Sequence, residues 1–276
     1  MSARRGTKWK LNLLLGSVLG VVVLVLSVTG LFWTPGDPLK LDIMHRLQGP
    51  SGAFPFGTDE FGRDVLSRMM LGGGTSLILA AATVIGATTL GTILGLVNGF
   101  YRGWVDRIFM MFNDALLAFP GILLALGLVA LIGAGKTGII LALTAAYTPK
   151  VVRIVRAAVL SLREREFVEA SRALGNGSVY TMLRHVLPNT LTPIAVFATS
   201  MFGWAILVES ALSFLGLGVP PPAPTWGNML STARPYLDSA PWLSVFPGLF
   251  IAMTLLAANL LGDALRDRLD PRTATA

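Results

Sequence analysis

Apolar positions along this chain gather in long uncharged runs. They extend from Leu11 to Gly36, Met69 to Tyr101, Ala115 to Gly135, His185 to Val208 and Ser239 to Gly262. Each supplies the roughly 20 residues that a helix needs to cross ~30 Å of hydrocarbon. A sixth run, Thr137 to about Leu160, begins apolar and then carries Lys150, Arg153 and Arg156. Those three are expected beyond the hydrocarbon or snorkelling to the headgroups. The pattern predicts an all-α integral membrane protein with six transmembrane helices.

Arg4, Arg5, Lys8 and Lys10 precede the first run, as they would a secretory signal. Its apolar core of about 23 residues is too long for a signal, and no clear A-x-A site follows, so it reads as an uncleaved anchor. Alternating sides through six spans puts sixteen of the 22 Lys and Arg residues on the side of both termini. The positive-inside rule makes that side cytoplasmic. The expected division is a cytoplasmic N-terminus (1–10), a first span (11–33), an outer loop (34–70), a five-helix membrane domain (71–265) and a cytoplasmic tail (266–276). Within the domain, an inner loop covers about 161–188 and an outer loop about 216–240.

The outer segment 34–68 contains Gly36, Pro38, Gly49, Pro50, Gly52 and Pro55 and reads as irregular, with Asp64 to Met70 starting a short interfacial helix. In the later outer loop, Pro220-Pro221-Pro222-Ala-Pro224 excludes a regular helix, which suits a structured cap. Span two carries Gly91, Gly95 and Gly99, four apart on one helix face. Such glycines let another backbone approach closely, either within the chain or from a second membrane subunit.

Between spans four and five, Phe167, Ala170, Ser171 and Leu174 sit at i, i+3, i+4 and i+7, the spacing of an amphipathic helix. Gly175 is the natural residue to end it in a left-handed conformation. Ser178 is the expected N-cap of a second helix, Val179 to Leu187, with Val179, Met182, Leu183 and Val186 again in one stripe and Pro188 as its stop. This helix-turn-helix presents more apolar surface than a connector needs. It suits either a protein partner or the bilayer surface.

Composition sharpens this picture. The chain is 53% hydrophobic and 13% charged, where soluble domains carry nearly twice that charge. Having no cysteine, it has no disulfides, thiolate metal sites or thiol nucleophile. His45 and His185 are too far apart for a local metal motif. The net charge of +7 follows the membrane sides, so it reports topology and not nucleic-acid binding.

The inner loop resembles the membrane-spanning subunits of bacterial ABC importers. Their shared motif reads E-A-A, three residues, Gly, nine residues, Ile, one residue, Leu-Pro. Here Glu169-Ala170-Ser171, Gly175 and His185-Val186-Leu187-Pro188 match it, with a small Ser171 for the second Ala and His185 for the Ile. The resemblance narrows to the peptide and nickel class through Phe56-Gly-Thr-Asp59-Glu-Phe-Gly62-Arg63-Asp64, Gly99 to Asp106 with Asp114 and Ala118-Phe-Pro120, and Glu209 to Gly218 with Pro221-Pro222 and Trp226-Gly227. It fits the second of the two paired permeases.

The resemblance implies that Phe167, Glu169, Ala170, Ser171, Leu174, Gly175, His185, Leu187 and Pro188 form a coupling helix docking on a cytosolic ATPase. It implies a homologous permease, two ABC ATPase subunits that bind ATP and Mg, and an extracytoplasmic substrate-binding protein. This chain would then need no cofactor and would lie in lipid as a multi-pass protein of the bacterial inner membrane. Peptides are the expected cargo, with glutathione, a nickel chelate or a sugar conjugate as alternatives.

Gly133-Ala-Gly135-Lys136-Thr137 mimics the end of a phosphate-binding loop, but Ala130 stands where that pattern requires Gly. Gly49-Pro-Ser51-Gly52 is not a nucleophile elbow, which argues against a membrane hydrolase. A secondary transporter would carry more intramembrane carboxylates, and only Glu209 qualifies. An unpaired charge there is costly. Glu209 is therefore expected near the outer interface, in a structural pair, or on the pathway, where it could meet an ammonium group.

Overall fold

The computed structural model describes residues 2–269, and every regular element in that range is a helix. We number them α1 (Ser2–Phe32), α2 (Val65–Tyr101), α3 (Gly103–Leu117), α4 (Gly121–Ile132), α5 (Lys136–Leu162), α6 (Glu166–Ala173), α7 (Ser178–Phe214), α8 (Trp226–Ala233) and α9 (Trp242–Leu269). Five are long and apolar enough to span a membrane: α1 from Trp9, α2, α5, α7 and α9.

The run Ala115–Gly135 is not one straight helix, and the expectation of a single third span is corrected here. α3 and α4 meet at 94°, and the two together make a sixth span only if the bent pair is counted as one. The break follows from sequence. Pro120 has no N–H to donate and disfavours helical backbone at Phe119. α4 keeps 12 residues, about 18 Å, well short of a hydrocarbon core.

The bundle is organised by α2 lying along α5. Gly91, Gly95 and Gly99 face Val151, Val155 and Val159, respectively, so the close approach is within the chain. A Cβ on Gly95 would lie 2.7 Å from the Val155 Cβ, and one on Gly99 2.8 Å from that of Val159. All three valines are buried. At the other end of α2, a Cβ on Gly73 would collide with Ser27 of α1 and Trp226 of α8. Trp226 is fully buried there, its indole donating to the Met69 carbonyl at 3.0 Å.

Residues 34–64 and the Pro-rich 216–241 stretch cover one end of the bundle, the cap end. Asp64 is the N-cap of α2, accepting from Ser67 N–H at 2.9 Å, so no separate interfacial helix precedes that span. Asp59, itself buried, accepts from the backbone N–H groups of Phe61 and Arg63. Its other oxygen lies 2.7 Å from Arg63 Nε and 3.3 Å from Arg68 Nε. Gly57 and Gly62, at φ +75 and +74, make the turns that fold this segment back on itself. Phe56 then stacks on Phe246 at 4.0 Å, and Trp242 Nε1 donates to the Thr58 carbonyl, anchoring the cap on α9.

The α2–α5 seam generates a prediction. Gly95→Leu should lower the thermal unfolding temperature of the detergent-solubilised protein by the equivalent of about 1–3 kcal/mol, the range for overpacking. Adding Val155→Ala, which clears the facing side chain, should recover part of the loss. No recovery in the double variant would show that this contact does not set the seam.

Candidate functional site

The 161–188 loop lies at the opposite end of the bundle from the cap. Glu166 and Glu169 occupy the first turn of α6 and Arg172 its last, each favourable to the helix dipole. Gly175 stands at φ +80, with its N–H on the Arg172 carbonyl and the Asn176 N–H on that of Ser171. This is the paired bonding that closes a helix through a left-handed residue.

Ser171 and Thr181 are both buried, and their hydroxyls bond at 3.0 Å while Asn176 Nδ2 donates to Ser171 Oγ at 3.2 Å. Ser171 is thus more than a small stand-in for alanine, because it ties α6 to the start of α7. Asn176 and Thr181 escaped sequence reasoning: they complete the tie only once the chain has turned.

The expected apolar stripes divide on folding. Ser171, Met182 and Val186 face inward together with Val168, which belongs to neither stripe, while Phe167, Ala170, Leu174, Val179 and Leu183 remain exposed beside Glu169 and Tyr180. Leu174 is 82% exposed. Apolar side chains clustered in the open and rimmed by charge mark a surface made for contact.

Two details of the second helix are corrected. Gly177, not Ser178, is its N-cap. Pro188 does not stop it: α7 continues from Ser178 to Phe214 through a π turn at Met182–Val186. The wider turn places Pro188 where its missing N–H and ring are tolerated. Asn189 Nδ2 caps the His185 carbonyl at 2.7 Å. The His185 ring lies edge-on to Tyr180, and Leu187 packs partly buried against the core.

Ion pairs connect the loop-proximal half of α5 to α3. Arg156 grips Asp106 with two hydrogen bonds of 2.7 and 2.6 Å, and Arg153 reaches Asp114 at 2.6 Å. Arg163 donates to the Phe100 carbonyl at 2.9 Å, and Arg172 lies over the Phe100 ring.

A cavity of about 870 Å³ opens between α4, α5, α7, α8 and α9. Tyr147, Phe197, Trp204, Phe214 and Ile251 make much of its wall, and Lys150 is its one charged lining residue. Lys150 sits fourteen residues into the 27-residue α5, about 21 Å along its axis, and its exposed side chain opens into this cavity.

Glu209 does not line this cavity, although Val208 and Ser210 do. It is buried on the other side of α7, where Oε1 accepts from Ser213 Oγ at 2.9 Å and the hydroxyls of Ser76 and Thr225 lie close. Among the described residues no group of acidic, His or Cys side chains could hold a metal ion. The Gly133–Thr137 mimic of a phosphate loop is the turn after α4 together with the first two residues of α5, with Gly133 and Gly135 at positive φ.

Membrane-length helices around an apolar cavity, with a contact loop at one end, define a multi-pass membrane permease. The family model described as the binding-protein-dependent transport system inner membrane component matches residues 67–275, and the chain belongs to that family. It is 43% identical over 258 residues to a putative peptide transport system permease of Brucella suis, covering 94% of this chain and 87% of that protein. It is 41% identical over 260 residues to a dipeptide transport system permease of Alkalihalophilus pseudofirmus (93% and 86%). To a glutathione transport system permease of Pectobacterium atrosepticum it is 42% identical over 258 residues (92% and 85%).

The tie inside the loop can be tested alone. Thr181→Val leaves the buried Ser171 hydroxyl with one partner fewer and should cost about 1–3 kcal/mol locally, read as faster amide exchange over residues 171–181. Ser171→Ala combined with Thr181→Val should cost less than the sum of the single changes. Additive effects would show that the two hydroxyls do not act together.

Proposed function

We propose that this chain is one of two homologous permeases of an ATP-driven bacterial importer that carries short peptides across the inner membrane. Both termini and the 161–188 loop face the cytoplasm, and α6 with its turn is the coupling element that seats in a groove of a cytosolic ATPase. The exposed apolar surface of Phe167, Leu174, Val179 and Leu183 beside Glu169, on a loop whose fold is fixed from within, carries this reading. A bilayer-facing loop would not need so rigid a turn.

In this reading ATP and Mg act on the partner subunits, and a substrate-binding protein delivers cargo at the cap end. Closure of the ATPases moves the loop, and the bundle switches as a rigid body between inward-open and outward-open states. The cavity against α4, α5 and α7 is this chain's share of the pathway. Glu209, with the hydroxyls of Ser76 on α2 and of Thr225 at the start of α8 close by, serves to hold α7 beside those helices. Glutathione is the second cargo reading, supported by the likeness to the Pectobacterium atrosepticum protein.

Orientation is checked with Ser178→Cys, the sole thiol in a chain without cysteine. An impermeant thiol reagent added outside intact cells should leave it unmodified, and labelling would overturn the topology. For coupling, Glu169→Arg reverses a charge at the docking face, and Gly175→Val forces a β-branched residue into a left-handed conformation, at about 1–2 kcal/mol. Both should still insert and assemble while peptide uptake and substrate-stimulated ATP hydrolysis fall together. Wild-type rates in an assembled variant would remove that residue from the coupling role.

A further inference from the structure

Three basic residues follow one another on α5, and their fates differ. Arg153 and Arg156 are neutralised by Asp114 and Asp106 of α3. Lys150, one turn nearer the middle of the helix, forms no ion pair with any described residue. Its exposed side chain lines the cavity, with the ammonium 5.6 Å from the Tyr147 ring centroid. An aromatic face steadies a cation there without neutralising it.

The surrounding wall offers no anion. The other lining residues are apolar, aromatic, glycine or, at Ser200, Ser210 and Tyr147, hydroxyl-bearing. The ammonium also lies 4.0 Å from where a Cβ on Gly121 would stand, at the bend between α3 and α4, and the small residue keeps that approach open. An ionisable side chain within a candidate span, lining a cavity without an ion-pair partner, is the kind that marks a substrate or ion path.

We propose that Lys150 is a cargo-contacting residue whose ammonium receives a carboxylate of the passing substrate. The transported class is then one that carries a free carboxylate, such as the C-terminus of a short peptide. A volume near 870 Å³ accommodates a molecule of that size, and the apolar wall provides no competing grip. A charged hydrogen bond in a hydrated cavity holds the carboxylate without trapping it. This inference rests on the importer reading above.

The test uses the complete transporter, both permeases with the ATPases and the binding protein, in proteoliposomes energised with ATP. ATP-dependent uptake is measured for alanyl-alanine and for its C-terminal amide. Lys150→Gln should lower alanyl-alanine uptake about tenfold, as loss of one charge-assisted hydrogen bond does, and leave amide uptake at the wild-type level. Lys150→Arg should retain both.

A second arm uses Lys150→Cys in the otherwise cysteine-free chain. Aminoethylation of the thiol, which restores a cation, should return alanyl-alanine uptake, a sulfonatoethyl group should not, and saturating alanyl-alanine should slow the modification. Equal change for both probes, no rescue by the amine or no protection by the dipeptide overturns the assignment. So does loss of assembly in Lys150→Gln but not Lys150→Arg, which would place the cation against the other permease. An effect that vanishes in vesicles lacking anionic lipid would give it to a headgroup phosphate and likewise overturns it. A wild-type complex that hydrolyses ATP but imports neither probe would bring down the peptide reading and this proposal with it. Wild-type uptake with unaffected Lys150 variants sinks only the proposal.

Discussion

The close approach of α2 to α5 is the constraint on which the rest of this bundle depends. Lipid tails are as apolar as the side chains they touch, so helices in a bilayer gain little from hiding apolar surface and associate through close packing. Glycines on α2 opposite valines on α5 bring many atoms into dispersion contact at once. With α5 fixed along its length, Arg153 and Arg156 meet the carboxylates of α3, and Lys150 faces the cavity. With α2 fixed, its other end receives α1 and the buried Trp226 of α8. Loop end and cavity wall are thus positioned by the same pair of helices.

Sequence reading succeeded where a local rule acts alone. Runs of apolar residues declare α1, α2, α5, α7 and α9 because a hydrocarbon core demands them. Gly175 declares its left-handed turn because other side chains resist that backbone. It failed where two rules compete. An uncharged run hid the bend at Pro120, since hydropathy is blind to a missing N–H. Pro188 looked like a stop because the π turn that accommodates it has no compositional signature. Lys150 was grouped with Arg153 and Arg156 by proximity in sequence, and only the third dimension separates the paired cations from the unpaired one.

The segment from Gly57 to Asp64 is a different lesson. Its letters suggest chemistry, with three acids and an arginine in close order before a membrane helix. Each is engaged locally: Asp59 by two backbone N–H groups and two guanidinium groups, Glu60 by Arg63 at 3.4 Å, Asp64 by the first turn of α2, and the two glycines by their turns. The Thr58 hydroxyl donates to the His45 carbonyl and accepts from Gln48 N–H. A run of residues so largely engaged with itself builds a lid on the bundle.

The continuity of α7 has a mechanical meaning. Its 37 residues run as one helix from the contact loop to the edge of the cap, about 55 Å, through the π turn at Met182–Val186 and past Pro188 and Pro193. A helix of that length, moving as one body, is a lever. Tilting it by about 5° at the loop swings the far end by about 5 Å, by the same rise per residue. One wall of the cavity travels with it, while Glu209 and Ser213 sit near the far end, where the swing is greatest. Small displacements delivered at Val179 and Leu183 would therefore arrive enlarged at the mouth, with no intermediary but the helix itself.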